Sequence, residues 1–454
     1  MKHFEASGLW FQHDDPDDKV AGTLKFDDEG LQLILLGSFR PGWSPEPDRY
    51  SMIHGVVGNL PIGSFVTLID CFQTRCQFDS EGFTSETIRA AKATLGDRHL
   101  SEGSSRYECM QIGYSCLTNW AGLSGINVEH AHEDGKTMLL RYVVPDAIKF
   151  SYGEKILTLS VGFQTSLSAH KITLSEAASL VIRPVGDIDP KSLFPDDIRR
   201  LQDLLSFATD RPNTVEKIVY YSRREHHDAL RLSELNLVFD PIIKHKDKGV
   251  SNRHDEMLFT YKDACDFGID LFAAWFGFTK EHGRFNELYF AHVYSTPRHL
   301  DDRLSILLKA FNSLCSGFVG SSKITTRLIE AVEGAALAEF TEDERELVRG
   351  MLPVSSDVES LVNLKRLLEN NSRLTRLWID DVHEYVRSLS DTLLHFQRRV
   401  EVPRRPLKGE DLYRAIEKLD MFIKLLVLRE IGFNDNQIKT LFERNHKFNI
   451  LKSL

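Results

Sequence analysis

Cysteine is scarce, with six in 454 residues. That usage points to thiols kept reduced in a cytoplasm. No run of about 18 apolar residues occurs, so no membrane span is expected. The opening stretch, MKHFEASGLWFQHDDPDD, turns acidic at once and lacks an apolar core of signal-peptide length. A cytoplasmic location is therefore expected. Positive charge is short overall: 56 Lys and Arg stand against 66 Asp and Glu, for a formal net charge of -10. A global basic field is excluded, and any nucleic-acid surface must be a local patch. Internal repeats and low-complexity tracts are absent. What is present is 42% hydrophobic residues, enough for real cores and too much for disorder. The length suits two or three domains.

Residues 1–185 read as strands. VAGTLKF and LQLILLGSF flank Asp27-Asp28-Glu29-Gly30, a good hairpin turn. SMIHGVVGNL, GSFVTLIDCF, SRYECMQIGYSCL, GINVEHAHE, KTMLLRYVV, IKFSYGEKILTLSVGF and ASLVIRP continue the series, so an antiparallel sandwich or barrel is expected. From Pro184 the grammar changes. DIRRLQDLLSFA and TVEKIVYYSRREHHDAL have helical spacing, and residues 186–255 read as an α/β bridge ending in the charged loop KHKDKGVSNRHDE. Residues 256–454 read as a helical bundle: DACDFGIDLFAAWF, RLSILLKAFNSLCSGF, ITTRLIEAVEGAALAEF, TEDERELVRGML and VESLVNLKRLLENN lead to two further helices. The fold class is α+β, a β-rich N-terminal domain followed by an all-α bundle.

The stretch 380–399, DDVHEYVRSLSDTLLHFQRR, splits cleanly at about 100° per residue. Val382, Tyr385, Val386, Leu389, Leu393 and Phe396 share an apolar face. Glu384, Arg387, Asp391, His395 and Arg398 share the opposite one. Asp380 and Asp381 suit a helix start, and Arg398 and Arg399 a helix end. A carboxylate, an arginine and a histidine in one stripe can hold a phosphodiester and move its protons. The competing reading is the solvated face of an ordinary amphipathic helix. Behind it, Arg398, Arg399, Arg404, Arg405 and Lys408, opposed only by Glu401, make a locally basic loop suited to phosphates. That loop also reads as a solubilising helix terminus. The stripe offers too few groups for a site unless a second copy faces it, so a homodimer, or a dimer of dimers, is expected.

Three other clusters carry metal-ligating or RNA-contacting residue types. Neither Cys71-x4-Cys76, at the limit of the usual C-x2-4-C zinc spacing, nor Cys109-x6-Cys116, beyond it, fits well, and buried free thiols compete with a metal there. His130 and His132 share a strand face within Glu129–Glu133, which a metal or a polar hairpin face explains. Arg223–Asp228, RREHHD, reads as a solvated helix face or an RNA contact.

After the 380–399 stretch come RRVEVPRRPLKGED, the long helix LYRAIEKLDMFIKLLVLREIGF closed at Gly432, and a short last helix. This order resembles the C-terminal part of the HEPN ribonucleases, in particular the ApeA-like branch of bacterial abortive infection. That family reads roughly V-x-x-T-R-N-x-x-T-H-[YF], and Val386–Phe396 stands in its place here. His395 matches the histidine, and Asp391 matches the polar position after the arginine. Ser390 stands where the arginine would, and Arg387 lies one turn earlier. The opening V-x-G-x-L-x-F, L-x-L-x-G and V-T-L pattern is similar to the ApeA N-terminal domain. The resemblance implies a cofactor-free, metal-independent endoribonuclease of the bacterial cytoplasm with a composite dimer site. His395, Asp391 and Arg387 would act there, on tRNA or other structured RNA, in anti-phage defence. The N-terminal domain would sense a phage-derived trigger. A catalytically inactive HEPN dimer binding RNA or protein is the alternative.

Overall fold

The computed structural model describes residues 3–39, 48–58, 63–78, 84–100, 107–131, 137–184, 196–223, 232–239, 253–295, 299–318, 356–398 and 406–453. The chain divides into two compact units. One is 1–205 with 213–250, and the other is 206–212 with 251–454.

The first unit is built on antiparallel strands. β1 (Phe4–Gln12), β2 (Asp15–Asp27), β3 (Gly30–Leu35), β4 (Arg49–Val57), β5 (Phe65–Phe78) and β6 (Thr84–Gly96) pair in the ring β1-β2-β3-β6-β5-β4, and β4 returns to β1. A closed ring leaves no edge among these six strands. Alternation explains the core: Leu24 and Phe26 on β2, Leu31, Leu33 and Leu35 on β3, and Ile88 and Ala90 on β6 all point inward. The β2–β3 turn falls at Asp27–Gly30. There Asp27 Oδ1 accepts the Glu29 N–H at 2.8 Å, and Gly30 takes φ +103°, which suits a residue without Cβ. Trp10 is fully buried, and its ring lies where a Cβ on Gly55 would stand, 2.4 Å away. Glycine at 55 is what lets the indole cross the barrel. At one end Glu86 is fully buried and accepts from Ser38 Oγ, the Phe39 N–H, Tyr50 Oη and Gln73 Nε2 at 2.9–3.3 Å. Those four donors offset the cost of burying a carboxylate.

β6 also leads out of the barrel. β5 lines one edge of it, while β3 takes residues 86–90 of the other edge and β14 (Leu232–Phe239) takes 92–96. From β14 the sheet runs through β13 (Val215–Arg223), β7 (Cys109–Tyr114), β12 (Lys171–Pro184), β11 (Lys155–Ser168) and β10 (Ile148–Tyr152). The short helix α1 (Leu117–Ala121) packs on β12, while β8 (Ile126–Ala131) and β9 (Thr137–Tyr142) form a separate ribbon. α2 (Asp196–Ala208) has the helical form expected for 197–208. TVEKIVYYSRR does not. Its spacing, Val215, Ile218 and Val219, mimics a helix, yet 215–223 is a strand between β7 and β14. β-Branched and aromatic residues covered on both faces favour the pleat over the helix.

The second unit is helical: α3 (Tyr261–Asp266), α4 (Leu271–Glu281), α5 (Gly283–Tyr294), α6 (Leu300–Phe318), α7 (Ser356–Asn370), α8 (Ser372–Thr375), α9 (Val382–Arg398), α10 (Gly409–Glu430), α11 (Asp435–Arg444) and α12 (His446–Ser453). The expected helix over 263–276 is broken at Gly268, φ +70°, into α3 and α4. α3 and α11 each start with a capping box, Thr260/Asp263 and Asn434/Gln437. The hydrophobic centre gathers Phe259, Trp275 and Tyr289 around the Phe207 ring, and α10 is buried along most of its length. The helices expected over 324–352 lie outside the described residues. The chain is thus α+β, a barrel-bearing sheet unit followed by a helical one.

Candidate functional site

The 380–399 stretch folds as α9, and Asp381 Oδ1 caps it by accepting the Glu384 N–H at 3.0 Å. Leu389, Thr392 and Leu393 are buried, and Val382, Tyr385, Val386 and Phe396 are half-buried. The Tyr385 hydroxyl donates to the Ala415 carbonyl of α10 at 2.8 Å. Thr392 Oγ1 donates to the Ser388 carbonyl at 2.7 Å and accepts the Leu407 N–H at 3.0 Å. The second bond matters for the site. It brings the chain back beside the helical turn that carries Asp391 and His395, and Lys408 follows as the N-cap of α10. The positive end of α10 therefore begins close to that turn.

On the polar side Glu384 and Arg387 are exposed, while Asp391 and His395 are half-buried. Arg387 Nη1 lies 3.9 Å from Glu384 Oε2, an exposed ion pair of little energetic weight. His395 packs on Phe396 with ring centres 6.1 Å apart. Among the described residues no hydrogen bond joins Arg387, Asp391 and His395 to one another. Arg398 is the last residue of α9, and Arg399, Arg404 and Arg405 lie outside the described residues. So do His132 and 224–228, while His130 lies on β8 and Arg223 ends β13. Cys71 and Cys76 both lie on β5, Cys109 begins β7, Cys116 precedes α1, and none of these four is in a disulfide. Burial pushes the Cys71, Cys76 and Cys109 thiols up, so they stay protonated. Among the described residues no set of three or more His, Cys, Asp or Glu is arranged to hold a metal.

Sequence reasoning missed a second polar centre within the helical unit. Glu417, Asp420 and Lys424 occupy one face of α10 and are at most 5% exposed. Lys424 Nζ donates to Asp420 Oδ2 at 2.7 Å and pairs with Asp210. Asp420 Oδ1 also accepts the Tyr289 hydroxyl at 3.0 Å. Lys447 Nζ reaches Glu417 Oε2 at 2.7 Å and Asp210 Oδ2 at 3.4 Å, and Arg303 closes the set on Glu417. A cleft of about 480 Å³ is lined by Asp210, Tyr289, Arg303, Asp420 and Lys447 of this set. Although burial opposes it, the ammonium groups of Lys424 and Lys447 hold the Asp420 carboxyl well below its usual range. The signal was present as E-x2-D-x3-K, a period-matched polar face inside an apolar helix.

A third cluster sits in the barrel unit. His13 Nδ1 and His54 Nε2 are 2.8 Å apart, His54 Nδ1 meets Thr67 Oγ1 at 3.1 Å, and the His99 ring lies 4.6 Å from that of His54. Burial, with His99 and His13 beside it, lowers His54 to about 4. Burial does the same to His292 in the helical unit, also to about 4. An imidazole that titrates near 6.5 when unfolded and near 4 when folded contributes nothing at neutral pH. It costs stability as pH falls from 6.5 toward 4. Each histidine should remove about 1.4 kcal/mol per pH unit, or ~2 kcal/mol at pH 5. Urea denaturation at pH 7.5 and pH 5 should show this loss, with His54→Gln and His292→Gln each flattening the slope. An unchanged urea midpoint at pH 5 would show that neither ring is held neutral.

A barrel-bearing β unit, a helical unit and a histidine-bearing polar stripe on a buried-backed helix define a two-unit α+β protein with a candidate acid–base site. The sequence model of ApeA N-terminal domain 1 matches residues 5–275, more than half of the chain, and the protein belongs to that family. Membership suggests an anti-phage defence protein of ApeA type. No curated protein and no solved structure matches the chain. No described helix is long and apolar enough to cross a membrane.

Proposed function

We propose that the protein is an abortive-infection endoribonuclease of HEPN type, with its chemistry on α9. One conjunction carries this reading. A chain of the ApeA family presents His395 one turn after Asp391, half-buried, on a helix fixed by Leu389, Thr392 and Leu393. RNA brings its own nucleophile, the ribose 2′-OH, so the protein need only move protons and stabilise charge. The 2′ oxygen attacks phosphorus and the bond to the 5′ oxygen breaks. The 2′ proton passes to a base, and a proton is returned to the leaving oxygen. His395 serves as base or acid, since one ring nitrogen of a neutral imidazole accepts a proton while the other donates one. Asp391 orients it, and Arg387 holds the phosphate. Arg398, Arg399, Arg404, Arg405 and Lys408 engage the flanking backbone of tRNA or another structured RNA. A second copy completes the site, and a phage-derived trigger acts on the N-terminal unit. The products are a 2′,3′-cyclic phosphate and a 5′-OH, and purified protein with total tRNA should yield them in EDTA. Loss of cleavage on chelation, restored by magnesium or manganese, would replace this route with metal-assisted hydrolysis.

Arg387 and His395 are eight residues apart, about 12 Å of helical rise. Released from Glu384 and extended towards the helix C-terminus, the guanidinium would cover part of that distance. Arg387→Ala should therefore cost about 10²-fold in turnover, as for one oriented transition-state donor. Ser390→Ala should cost little. Equal activity of Arg387→Ala and wild type would give the phosphate to another arginine. A second reading, a non-catalytic RNA- or protein-binding dimer, draws on Ser390 at the motif position and on the Arg387–Glu384 pair. It moves ahead if the wild type cleaves no RNA.

A further inference from the structure

β11 and β12 pair without a bulge along all their length, from Lys155↔Pro184 to Ser168↔Lys171. Their inner halves are flanked. β10 covers 155–159 of β11, and β7 covers 180–182 of β12. Beyond that, among the described residues, 162–168 and 171–177 have no strand on either outer edge. Residues 162–168 are exposed throughout. An isolated two-stranded ribbon is marginal in water.

Register sorts this ribbon into two faces. Gly162, Gln164, Ser166 and Ser168 lie opposite Ala177, Ser175, Thr173 and Lys171, a polar face. Phe163, Thr165 and Leu167 lie opposite Glu176, Leu174 and Ile172, a largely apolar one. That apolar face is open: Leu167 is 79% exposed, Ile172 67% and Phe163 48%. It continues onto the β8–β9 ribbon. The Phe163 ring lies 4.4 Å from that of Tyr142, and Glu176 accepts from Ser124 Oγ and the Gly125 N–H at 2.7 Å. The next rung on the Tyr142 face, Val128↔Leu140, is again exposed. Together these side chains present roughly 500 Å² of apolar surface, at the upper range of what monomers leave open.

Sheet edges are normally protected by charges, prolines or bulges. The outer half of β11, SVGFQTSLS, has no charge and no proline, and its pairing has no bulge. We infer that this edge is an interface between two copies of the chain, joined antiparallel through β11 about a two-fold axis at Thr165. Self-complementarity selects the occupant. About that axis Phe163 of one copy meets Leu167 of the other, and Thr165 meets Thr165. An aromatic–aliphatic pair and a Thr–Thr pair are both favourable cross-strand partners. No like charges meet, because the segment carries none. The apolar faces fall on the same side and merge into one four-stranded surface. The pairing satisfies the open backbone edge of β11 and packs the flanks of these side chains against one another. This interface does not depend on the ribonuclease reading, and it lies in the other unit from α9.

A cysteine pair placed on the axis tests it. In full-length protein carrying Cys265→Ser, which removes the exposed native thiol, Thr165→Cys should form a disulfide-linked dimer under mild oxidation. Opposed residues on paired strands fall within disulfide range. Gln164→Cys, which faces position 166 of the other copy, should link far less. Thr165→Lys places like charges together and should halve the mass seen by light scattering, while Ser166→Lys on the polar face should not. Absence of a Thr165→Cys link, with the mass of Thr165→Lys equal to that of wild type, would overturn the proposal. Equal linking at 164 and 165 would overturn the register and with it the two-fold axis.

Discussion

Replacing Lys424 by methionine should lower the unfolding free energy by about 3–5 kcal/mol, the usual cost of removing one partner from a buried ion pair. Lys424 is 1% exposed and its ammonium serves two carboxylates, Asp420 and Asp210, themselves 7% and 13% exposed at the side chain. Without it, Asp420 keeps the Tyr289 hydroxyl and a distant Lys447 at 3.7 Å, and its low carboxyl pKa has lost its largest support. The lost stability is therefore that of a charge left in a low-dielectric site rather than that of one attraction. The double variant Lys424→Met with Asp420→Leu should recover part of the loss, because it removes the unpaired charge as well. Urea denaturation would register a lower midpoint at unchanged slope. A Lys424→Met effect under 1 kcal/mol would show that water reaches these carboxylates freely and that the network pins nothing.

That network also marks where sequence reading stops. Local chemistry was legible. Asp27–Gly30 announced its hairpin, and the 3.6-residue spacing of Leu389 and Leu393 announced α9 with its buried side. Long-range pairing was not. Barrel closure depends on β1 meeting β4 and on β6 joining β3 to β5, and no local pattern encodes which strand is a neighbour. The helical reading of 215–223 rests on Val215, Ile218 and Val219, which satisfy a helical period, while the deciding fact, a hydrogen-bonded strand on each edge, lies in β7 and β14. The buried charges draw on Asp210, Arg303, Glu417, Asp420, Lys424 and Lys447, spread over more than half of the chain. Only the α10 triplet could have been noticed in advance. The apolar ribbon was hidden for a different reason. The expected strands stop at Phe163 and resume at Ala178, and only the structure pairs 164–168 with 171–175 and leaves their apolar side uncovered.

His395→Ala should abolish RNA cleavage, by 10²- to 10⁴-fold, the range expected for loss of a general acid–base group. It should leave folding intact. The groups that hold α9 are Leu389, Thr392 and Leu393, with Tyr385 on the Ala415 carbonyl, and none depends on the imidazole. His395 is half-buried and its described ring contact is with Phe396, so truncation removes little packing. Thermal unfolding of the variant should match wild type within the ~0.5 kcal/mol typical of a surface substitution. The chemical role then separates from a structural one by rescue. Free imidazole can enter the space left by the side chain and should restore part of the cleavage in His395→Ala, with no effect on Arg387→Ala. In cells, the same substitution should relieve any toxicity of expression, because arrest and cleavage share one site in this reading. If His395→Ala cleaves like wild type while melting at the same temperature, the chemistry does not reside on α9.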